Sequence, residues 1–139
     1  MGKSSITLKY CKNEFSDKQE STVDATYNSK DVMIDNKTKV GLTIWDTAGQ
    51  ERYHALNVSY YRYSKGALIV YDVTDKDSFE KVKKWHTELN KYLPGAPIMI
   101  AGNKCDLVNR TVPEEEADEF ARSVGSEHIN TSAKSGHNV

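Results

Sequence analysis

The chain has 139 residues, 37% of them hydrophobic and 28% charged, and its formal net charge is −1. This length fits one domain with a substantial core, and the near-zero charge excludes the strong positive field typical of nucleic-acid-binding proteins. The two cysteines, Cys11 and Cys105, lack disulfide-scaffold or CxxC spacing, which favours reduced thiols in a cytosolic protein. No apolar run approaches membrane-spanning length. Function must therefore be argued from individual sites.

The first predicted element is a helix that directly follows a partial phosphate-binding motif. Gly2, Lys3 and Ser4 match the closing half of GxxxxGK[ST], in which backbone N–H groups cradle a polyphosphate. The segment SITLKYCKNEF fits a helix, and it places Lys3 and Ser4 at a helix N-terminus, where the dipole favours an anion. By itself the GKS string is common, so its meaning depends on the rest of the chain.

A hairpin and two apolar strands come next along the chain. The strand in DATYNSKDVMI turns at Asp35-Asn36-Lys37 into KVGLTIW, which predicts an antiparallel pair. ALIVYDV at 67–73 and APIMIAG at 96–102 are nearly continuous apolar runs, typical of strands buried on both faces. We therefore expect these two to be central strands of a sheet.

Amphipathic helices are predicted between and after these strands. Apolar residues recur at helical spacing from Phe79 to Leu93, and Asp77 with Glu80 predicts a capping box. A second apolar stripe lies between Pro113 and Gly125, which suit the two ends of a helix. Alternating strands and helices predict an α/β fold around a largely parallel sheet.

Asp46 ends the KVGLTIW strand and begins the string DTAGQE. An aspartate in this place can hold Mg²⁺ through water, and Gly49 allows a backbone N–H to approach a phosphate oxygen. The alternative is an ordinary junction between a strand and a turn, since Asp and Gly favour turns.

The string GNKCD follows the APIMI strand and predicts a base-reading loop. Asp106 can accept two N–H groups from the Watson–Crick edge of guanine, whereas adenine lacks that pair of donors. The segment Thr131-Ser132-Ala133-Lys134 follows the strand-like EHIN, and its backbone N–H groups could bind a base carbonyl. Ligands of open α/β sheets bind at such strand ends, so the order of these elements predicts a guanine-nucleotide site.

The strings GKSS, WDTAGQERYHAL, YYR, VYDVTD, GNKCDL and TSAK, in this order, resemble the Rab branch of the Ras-like small GTPases. The resemblance covers essentially the whole chain, and ERYHAL and STVDATY are most similar to members that work on early endosomes. It implies one G domain over residues 1–139, of the P-loop NTPase class, with a three-layer αβα arrangement, a mostly parallel sheet and an antiparallel edge hairpin. It also implies a GTP- and GDP-dependent switch that hydrolyses GTP, binds Mg²⁺ and regulates vesicular traffic.

The resemblance further implies roles for individual residues. Gln50 would orient the attacking water as the catalytic residue, and no cis arginine finger is found, which implies slow intrinsic hydrolysis. Mg²⁺ would bind Ser4, Thr22 and Asp46. For Phe15, expected against guanine, a buried side chain at a helix end is the alternative. The nucleotide-binding residues would be Gly2, Lys3, Ser4, Ser5, Phe15, Thr22, Gly49, Asn103, Lys104, Asp106, Ser132, Ala133 and Lys134.

Protein partners are also implied by the resemblance. Exchange factors, GTPase-activating proteins and effectors would bind the switches, the second of which begins at Glu51, and the aromatic positions Tyr27, Trp45 and Tyr60. From the sequence alone, an aromatic residue on a strand is more often part of a core. Membrane binding would need a prenylated tail that this sequence does not contain, so we expect a cytoplasmic protein that is peripheral on endosomal membranes only if a longer form is lipidated.

The sequence departs from the family pattern at both ends. The family's first strand, expected between the KVGLTIW and ALIVYDV strands, and its final helix, which covers one face of the sheet, are expected to be missing. Two alternative functions therefore stay open. One is a nucleotide-deficient protein-interaction module, which the missing strand favours. The other is an ATP-using P-loop enzyme, which NKCD and TSAK disfavour.

Overall fold

The computed structural model describes residues 2–18, 26–47, 58 and 60–139. The helices and strands alternate after an initial helix and hairpin, as the sequence predicts. In chain order they are α1 (Lys3–Lys12), β1 (Thr26–Met33), β2 (Lys39–Asp46), β3 (Ala67–Asp72), α2 (Lys76–Tyr92), β4 (Ile98–Asn103), α3 (Glu114–Ser123) and β5 (Glu127–Asn130).

The parallel sheet contains β3, β4 and β5, in that spatial order. Its register places Asp72 opposite Asn103 and Gly102 opposite Asn130. All three strands therefore end at the same edge of the sheet. The loops that follow β4 and β5 start at this edge, which is where the sequence predicts the base-reading residues.

Helices cover both faces of this sheet. On one face, α2 and α3 enclose a core whose largest side chains are Tyr71, Phe79 and Ile100, all 1% exposed or less. On the other face, Ile6 of α1 packs against Val70 and the loop residue Ala133. The three-layer αβα order is thereby confirmed.

The apolar strands are not buried along their whole length. Leu68 and Met99 alternate onto the face that α1 covers, yet they are 45% and 37% exposed. The prediction of burial on both faces is therefore wrong for the first half of β3 and β4, whereas Ile6 of α1 packs against Val70 and Ala101 in their second half. Among the described strands, β4 has a partner on each side, whereas β3 pairs only with β4, so only one of the two is central.

The predicted hairpin and its turn at Asp35-Asn36-Lys37 are confirmed, and the structure gives its register. β1 and β2 pair antiparallel, with Thr26 opposite Asp46 and Met33 opposite Lys39. In the turn, the Asp35 carboxylate accepts hydrogen bonds of 2.7 Å from the backbone N–H groups of Lys37 and Thr38. These bonds lower the pKa of Asp35, and they explain why an aspartate begins this turn.

A cleft separates the hairpin from the parallel sheet. Its volume is about 810 Å³, and it is lined by residues 40–46 of β2, residues 67–70 of β3, Ile6 of α1 and Leu89 of α2. Strands β2 and β3 belong to two different sheets across this cleft. The resemblance places the family's first strand at this position.

The ends of the helices correct one prediction. Asp75 is the N-cap of α2, and its carboxylate accepts from the N–H groups of Asp77 (3.0 Å) and Ser78 (3.3 Å). The capping box with Asp77 as the cap is therefore wrong, because the helix begins before that residue. In contrast, Gly125 follows α3 with a φ of 70°, as predicted. No helix in the described ranges is long and apolar enough to cross a membrane.

Candidate nucleotide-binding site

The phosphate end of the candidate site is the N-terminus of α1. Gly2 caps this helix with a φ of 97°, a left-handed conformation that favours glycine, and its carbonyl accepts the first helical bond from the N–H of Ile6 at 2.9 Å. Lys3 and Ser4 follow in the first turn. Burial lowers the pKa of Lys3, although the negative charge of Asp46 partly opposes this. The helix predicted to present Lys3 and Ser4 at its start is confirmed.

Two of the three predicted Mg²⁺ ligands lie in contact. The Ser4 hydroxyl donates to Oδ2 of Asp46, the last residue of β2. The other oxygen of Asp46, Oδ1, is buried and has no hydrogen-bond partner in the described part of the chain. A hydroxyl beside an incompletely paired carboxylate is a donor set that suits a hard divalent cation. The third predicted ligand, Thr22, lies outside the described residues.

The pKa shift of Asp46 agrees with a site that binds a positive charge. Burial raises the pKa of this carboxyl, and the hydrogen bond from Ser4 and the charge of Lys3 oppose the effect without cancelling it. Within the described residues, the ionised carboxylate is thus incompletely compensated. A cation next to Oδ1 would remove this deficit.

The base end of the candidate site joins the loops after β4 and β5. The Asn103 side-chain oxygen accepts from the backbone N–H of Ala133 at 3.2 Å and from the Thr131 hydroxyl at 3.3 Å. The Ser132 hydroxyl donates to Oδ1 of Asp106 at 2.7 Å. Asn103 and Ser132 are almost fully buried, whereas Asp106 is exposed. The two loops are therefore locked together, with an accessible carboxylate at their surface.

The phosphate end and the base end meet at one contact. A Cβ atom added to Gly2 would lie only 2.2 Å from Nδ2 of Asn103. This separation is shorter than any allowed contact, so a side chain at position 2 would displace the Asn103 amide, and the φ of 97° at Gly2 also favours glycine. The two ends that the sequence predicts separately thus lie next to each other.

The remaining predicted site residues fall into three groups. Ser5 is buried in α1, and Lys134 is exposed beside the base end. Phe15 follows α1 and is 37% exposed, so the alternative of a buried side chain at the helix end is wrong, and its contact with guanine stays a prediction. Outside the described residues lie Thr22, Gly49, Gln50, Glu51 and Arg52.

The three predicted effector aromatics form a cluster. The ring centroids of Tyr27 and Trp45 are 5.2 Å apart, and those of Trp45 and Tyr60 are 4.8 Å apart. Tyr27 is 63% exposed and Trp45 is 43% exposed, so the alternative that these strand aromatics belong to a core is wrong for both. The cluster presents aromatic surface to solvent beside the end of β2.

Sequence reasoning missed one polar contact at the base end. The carboxylate of Asp72, the last residue of β3, lies 2.6 Å from the ammonium of Lys104. Asp72 is part of the string VYDVTD, but no role followed from that string. The available signal was its position, because an acidic residue at the end of a buried strand lies at the same edge as GNKCD.

Comparison with known proteins places the chain among small GTPases. The model of the Ras family matches residues 1–139. The Ras-related protein Rab-21 of mouse is 50% identical over 141 aligned positions, which cover the whole chain and 63% of the relative. The Rab-21 of Dictyostelium discoideum is 50% identical over 96% of the chain, and the Ras-related protein Rab11A of Lotus japonicus is 44% identical over the whole chain. The chain thus spans somewhat less than two thirds of the length of these relatives.

Proposed function

Because this chain belongs to the Ras family, in its Rab branch, we propose that it is a guanine-nucleotide switch that hydrolyses GTP slowly and regulates membrane traffic. The observation that carries the proposal is the contact between Gly2 and Asn103. It joins a helix N-terminus suited to phosphate with a loop suited to guanine. We propose further that residues 1–139 act as a single domain around this site.

Recognition of the base is assigned to the loop after β4. One oxygen of Asp106 is held by Ser132, and the exposed carboxylate can accept the paired N–H groups of guanine. Asn103 ties this loop to the backbone of Ala133. Adenine offers no matching pair of donors, so the arrangement favours guanine nucleotides over adenine nucleotides.

Phosphate and metal binding are assigned to α1 and the end of β2. The N–H groups at the start of α1 and the ammonium of Lys3 bind the phosphates, and Ser4, Thr22 and Asp46 hold Mg²⁺. The ion supplies charge neutralisation at the phosphate oxygens. The under-compensated carboxylate of Asp46 supports this assignment.

The chemical step is assigned to Gln50, which orients the attacking water with its amide donor and acceptor. Since the sequence offers no candidate for a cis arginine finger, a partner protein would supply the missing positive charge. Slow hydrolysis by the isolated chain is the expected behaviour. Gly49, the residue before Gln50, would bind a phosphate oxygen through its backbone N–H.

The output of the switch is assigned to the cluster formed by Tyr27, Trp45 and Tyr60. Exposed aromatic side chains are preferred anchors of protein interfaces, and this cluster adjoins the end of β2 that carries Asp46. Effectors that bind here could sense the metal site through β2. The strings ERYHAL and STVDATY support an endosomal membrane as the place of action.

The proposal is tested by equilibrium binding of a fluorescent GDP analogue to the 139-residue chain. We expect saturable binding that depends on Mg²⁺, that GDP competes away and that ADP does not. Asp106→Asn should weaken it by at least about tenfold, because it removes a charged acceptor. The matched control is Asp31→Asn, an exposed aspartate paired with Lys39, which should leave binding unchanged.

Two results would contradict this proposal. Competition by ADP as strong as by GDP would favour an ATP-using enzyme. A folded chain that binds neither nucleotide would favour a non-catalytic interaction module, for which the exposed aromatic cluster would then be the functional surface.

A further inference from the structure

Asp72 is a nearly buried carboxylate whose two oxygens are both engaged. Oδ1 accepts from the backbone N–H of Thr74 at 2.8 Å and from its hydroxyl at 2.6 Å. Oδ2 lies 2.6 Å from Nζ of Lys104. Only 6% of Asp72 is exposed. The carboxylate therefore bridges the turn after β3 and the loop after β4.

Lys104 adopts a backbone conformation that is unusual for its residue type. Its φ is 65°, in the left-handed region that residues with a side chain rarely occupy. Such a conformation persists only where surrounding contacts hold it. The Lys104 side chain is 43% exposed, so packing does not immobilise it, and the ion pair with Asp72 is the contact that fixes its end.

The position of Lys104 links this contact to base recognition. Asp72 and Asn103 are opposite each other in the register of β3 and β4, which brings the next residue of the loop within reach of the Asp72 carboxylate. Lys104 lies between Asn103 and Asp106, the two side chains assigned to the base. Its carbonyl also accepts from the N–H of Leu107 at 3.0 Å, which closes the turn that contains Asp106.

The ion pair with Lys104 requires Asp72 to be ionised, and its pKa meets this requirement. Burial opposes its ionisation, but the hydrogen bonds from Lys104 and Thr74 outweigh burial and hold the pKa of Asp72 below its ordinary value. The carboxylate is therefore charged at neutral pH, and the pair is a charge-assisted bond rather than a neutral one.

We propose that Asp72 is a positioning residue for the guanine-reading loop: by holding the ammonium of Lys104, it fixes the left-handed turn that directs the Asp106 carboxylate at the base. This inference rests on the proposed function, since it assigns Asp72 to the same site. Asp72 acts through Lys104 and touches no ligand itself.

The test compares the affinities of GDP and IDP for the 139-residue chain and its variants. IDP lacks the exocyclic amino group of guanine, so the ratio of the two affinities reports how well Asp106 is directed at that group. In Asp72→Asn we expect this ratio to fall by about tenfold, because an amide replaces the carboxylate that holds Lys104. A purely structural role would weaken both nucleotides equally and leave the ratio unchanged.

Two matched controls separate positioning from folding. Thr74→Val removes the hydroxyl bond to Asp72 but keeps the ion pair, and Asp75→Ala removes the N-cap of α2 in the same turn. Both should lower the melting temperature and leave the GDP-to-IDP ratio as in the parent chain. If Asp72→Asn does not fold, Lys104→Met removes the same ion pair while Asp72 stays bonded to Thr74, and the ratio should fall there too.

The double variant with Asp72→Asn and Lys104→Met tests directly whether Asp72 acts through Lys104. If Asp72 acts through Lys104, the double variant has the ratio of Lys104→Met alone. Additive losses, or an unchanged ratio in either single variant, would overturn the inference while leaving the proposed function intact. A parent chain that binds neither nucleotide would overturn the proposed function, and the inference with it.

Discussion

At the scale of one residue, the buried carboxylate of Asp46 lowers the stability of the folded protein. Its carboxylate is 7% exposed, one oxygen has no partner within the described ranges, and its pKa is raised mainly by burial. The ionised form therefore costs free energy in the folded protein without a ligand. We therefore expect Asp46 to serve binding rather than folding.

Asp46→Asn is expected to increase the free energy of unfolding at neutral pH in the absence of nucleotide and Mg²⁺. A group with a raised folded-state pKa contributes stability below its unfolded pKa, here near 3.8, and loses it as the pH rises through the folded value. The advantage of the asparagine variant should therefore vanish towards acid pH and grow towards neutral pH. Urea unfolding at several pH values measures this difference.

The same variant should lose the Mg²⁺ dependence of nucleotide binding. Asp31→Asn serves again as the exposed control. It should change the free energy of unfolding by no more than a few tenths of a kcal/mol and leave the Mg²⁺ dependence of nucleotide binding unchanged. A variant at position 46 that is less stable than the parent at neutral pH would mean that the chain already compensates the carboxylate.

Residue types at the site were predictable, whereas one of their partners was not. The GKS string, Asp46 and the NKCD string are predicted as parts of a nucleotide site because each offers suitable atoms at a suitable spacing along the chain. The pair of Asp72 with Lys104 joins residues that are close only through the register of two parallel strands. Apolar runs such as ALIVYD do not determine register, so the sequence indicates that Asp72 lies at this edge of the sheet but does not indicate its contact with Lys104.

At the scale of elements, the beginning of α2 depends on the turn before it. The backbone N–H groups of Thr111 and Val112 both donate to the carbonyl of Val73, at 2.9 and 3.1 Å, and Asp72 holds Thr74. These bonds fix where the chain leaves β3. Asp75 rather than Asp77 is then left at the N-cap position. Periodicity predicted the helix, but the choice between two aspartates required these tertiary bonds.

Asp75→Ala should lower the free energy of unfolding by about 1 kcal/mol, because two N–H groups in the first turn of α2 lose their acceptor. Asp77→Ala is the matched control. It removes only a charge near the helix N-terminus and should cost no more than about 0.5 kcal/mol. Chemical denaturation of both variants measures the difference, and equal losses would restore Asp77 as the cap.

At the scale of the whole molecule, the two sheets have unequal support. The parallel sheet is enclosed by α1 on one side and by α2 and α3 on the other. The hairpin of β1 and β2 exposes much of its side-chain surface, including Tyr27 and Met33 at 63% and 57%. Its link to α1 includes the ammonium of Lys30, which donates to the carbonyl of Tyr10 at 2.7 Å. A two-stranded sheet supported in this way has little stability of its own.

We therefore expect the amides of the hairpin to be less protected from hydrogen exchange than those of the parallel sheet. We expect the amides of β1 and β2 to exchange at least about a hundredfold faster than those of β4, because the hairpin can open without disrupting the core. GDP with Mg²⁺ should slow exchange near Asp46, at the end of β2, more than in the hairpin turn. Exchange measured by NMR or mass spectrometry tests both statements, and uniform protection would mean that the two sheets open as one unit.

In the proposed site, the contact between Gly2 and Asn103 would make a guanine nucleotide a bivalent ligand for this chain. Guanosine and pyrophosphate supplied as separate molecules would each occupy one half of the site and bind weakly. When the ester bond at the ribose 5′ oxygen joins them in GDP, the second half binds at an effective concentration on the order of millimolar or more, provided that the spacing of the halves matches the ligand. A side chain at Gly2 would force Asn103 away by more than the contact allows. Because Asn103 also ties the loop after β4 to the backbone of Ala133, such a variant would disturb the base end and lose the gain in affinity that comes from linking the two halves.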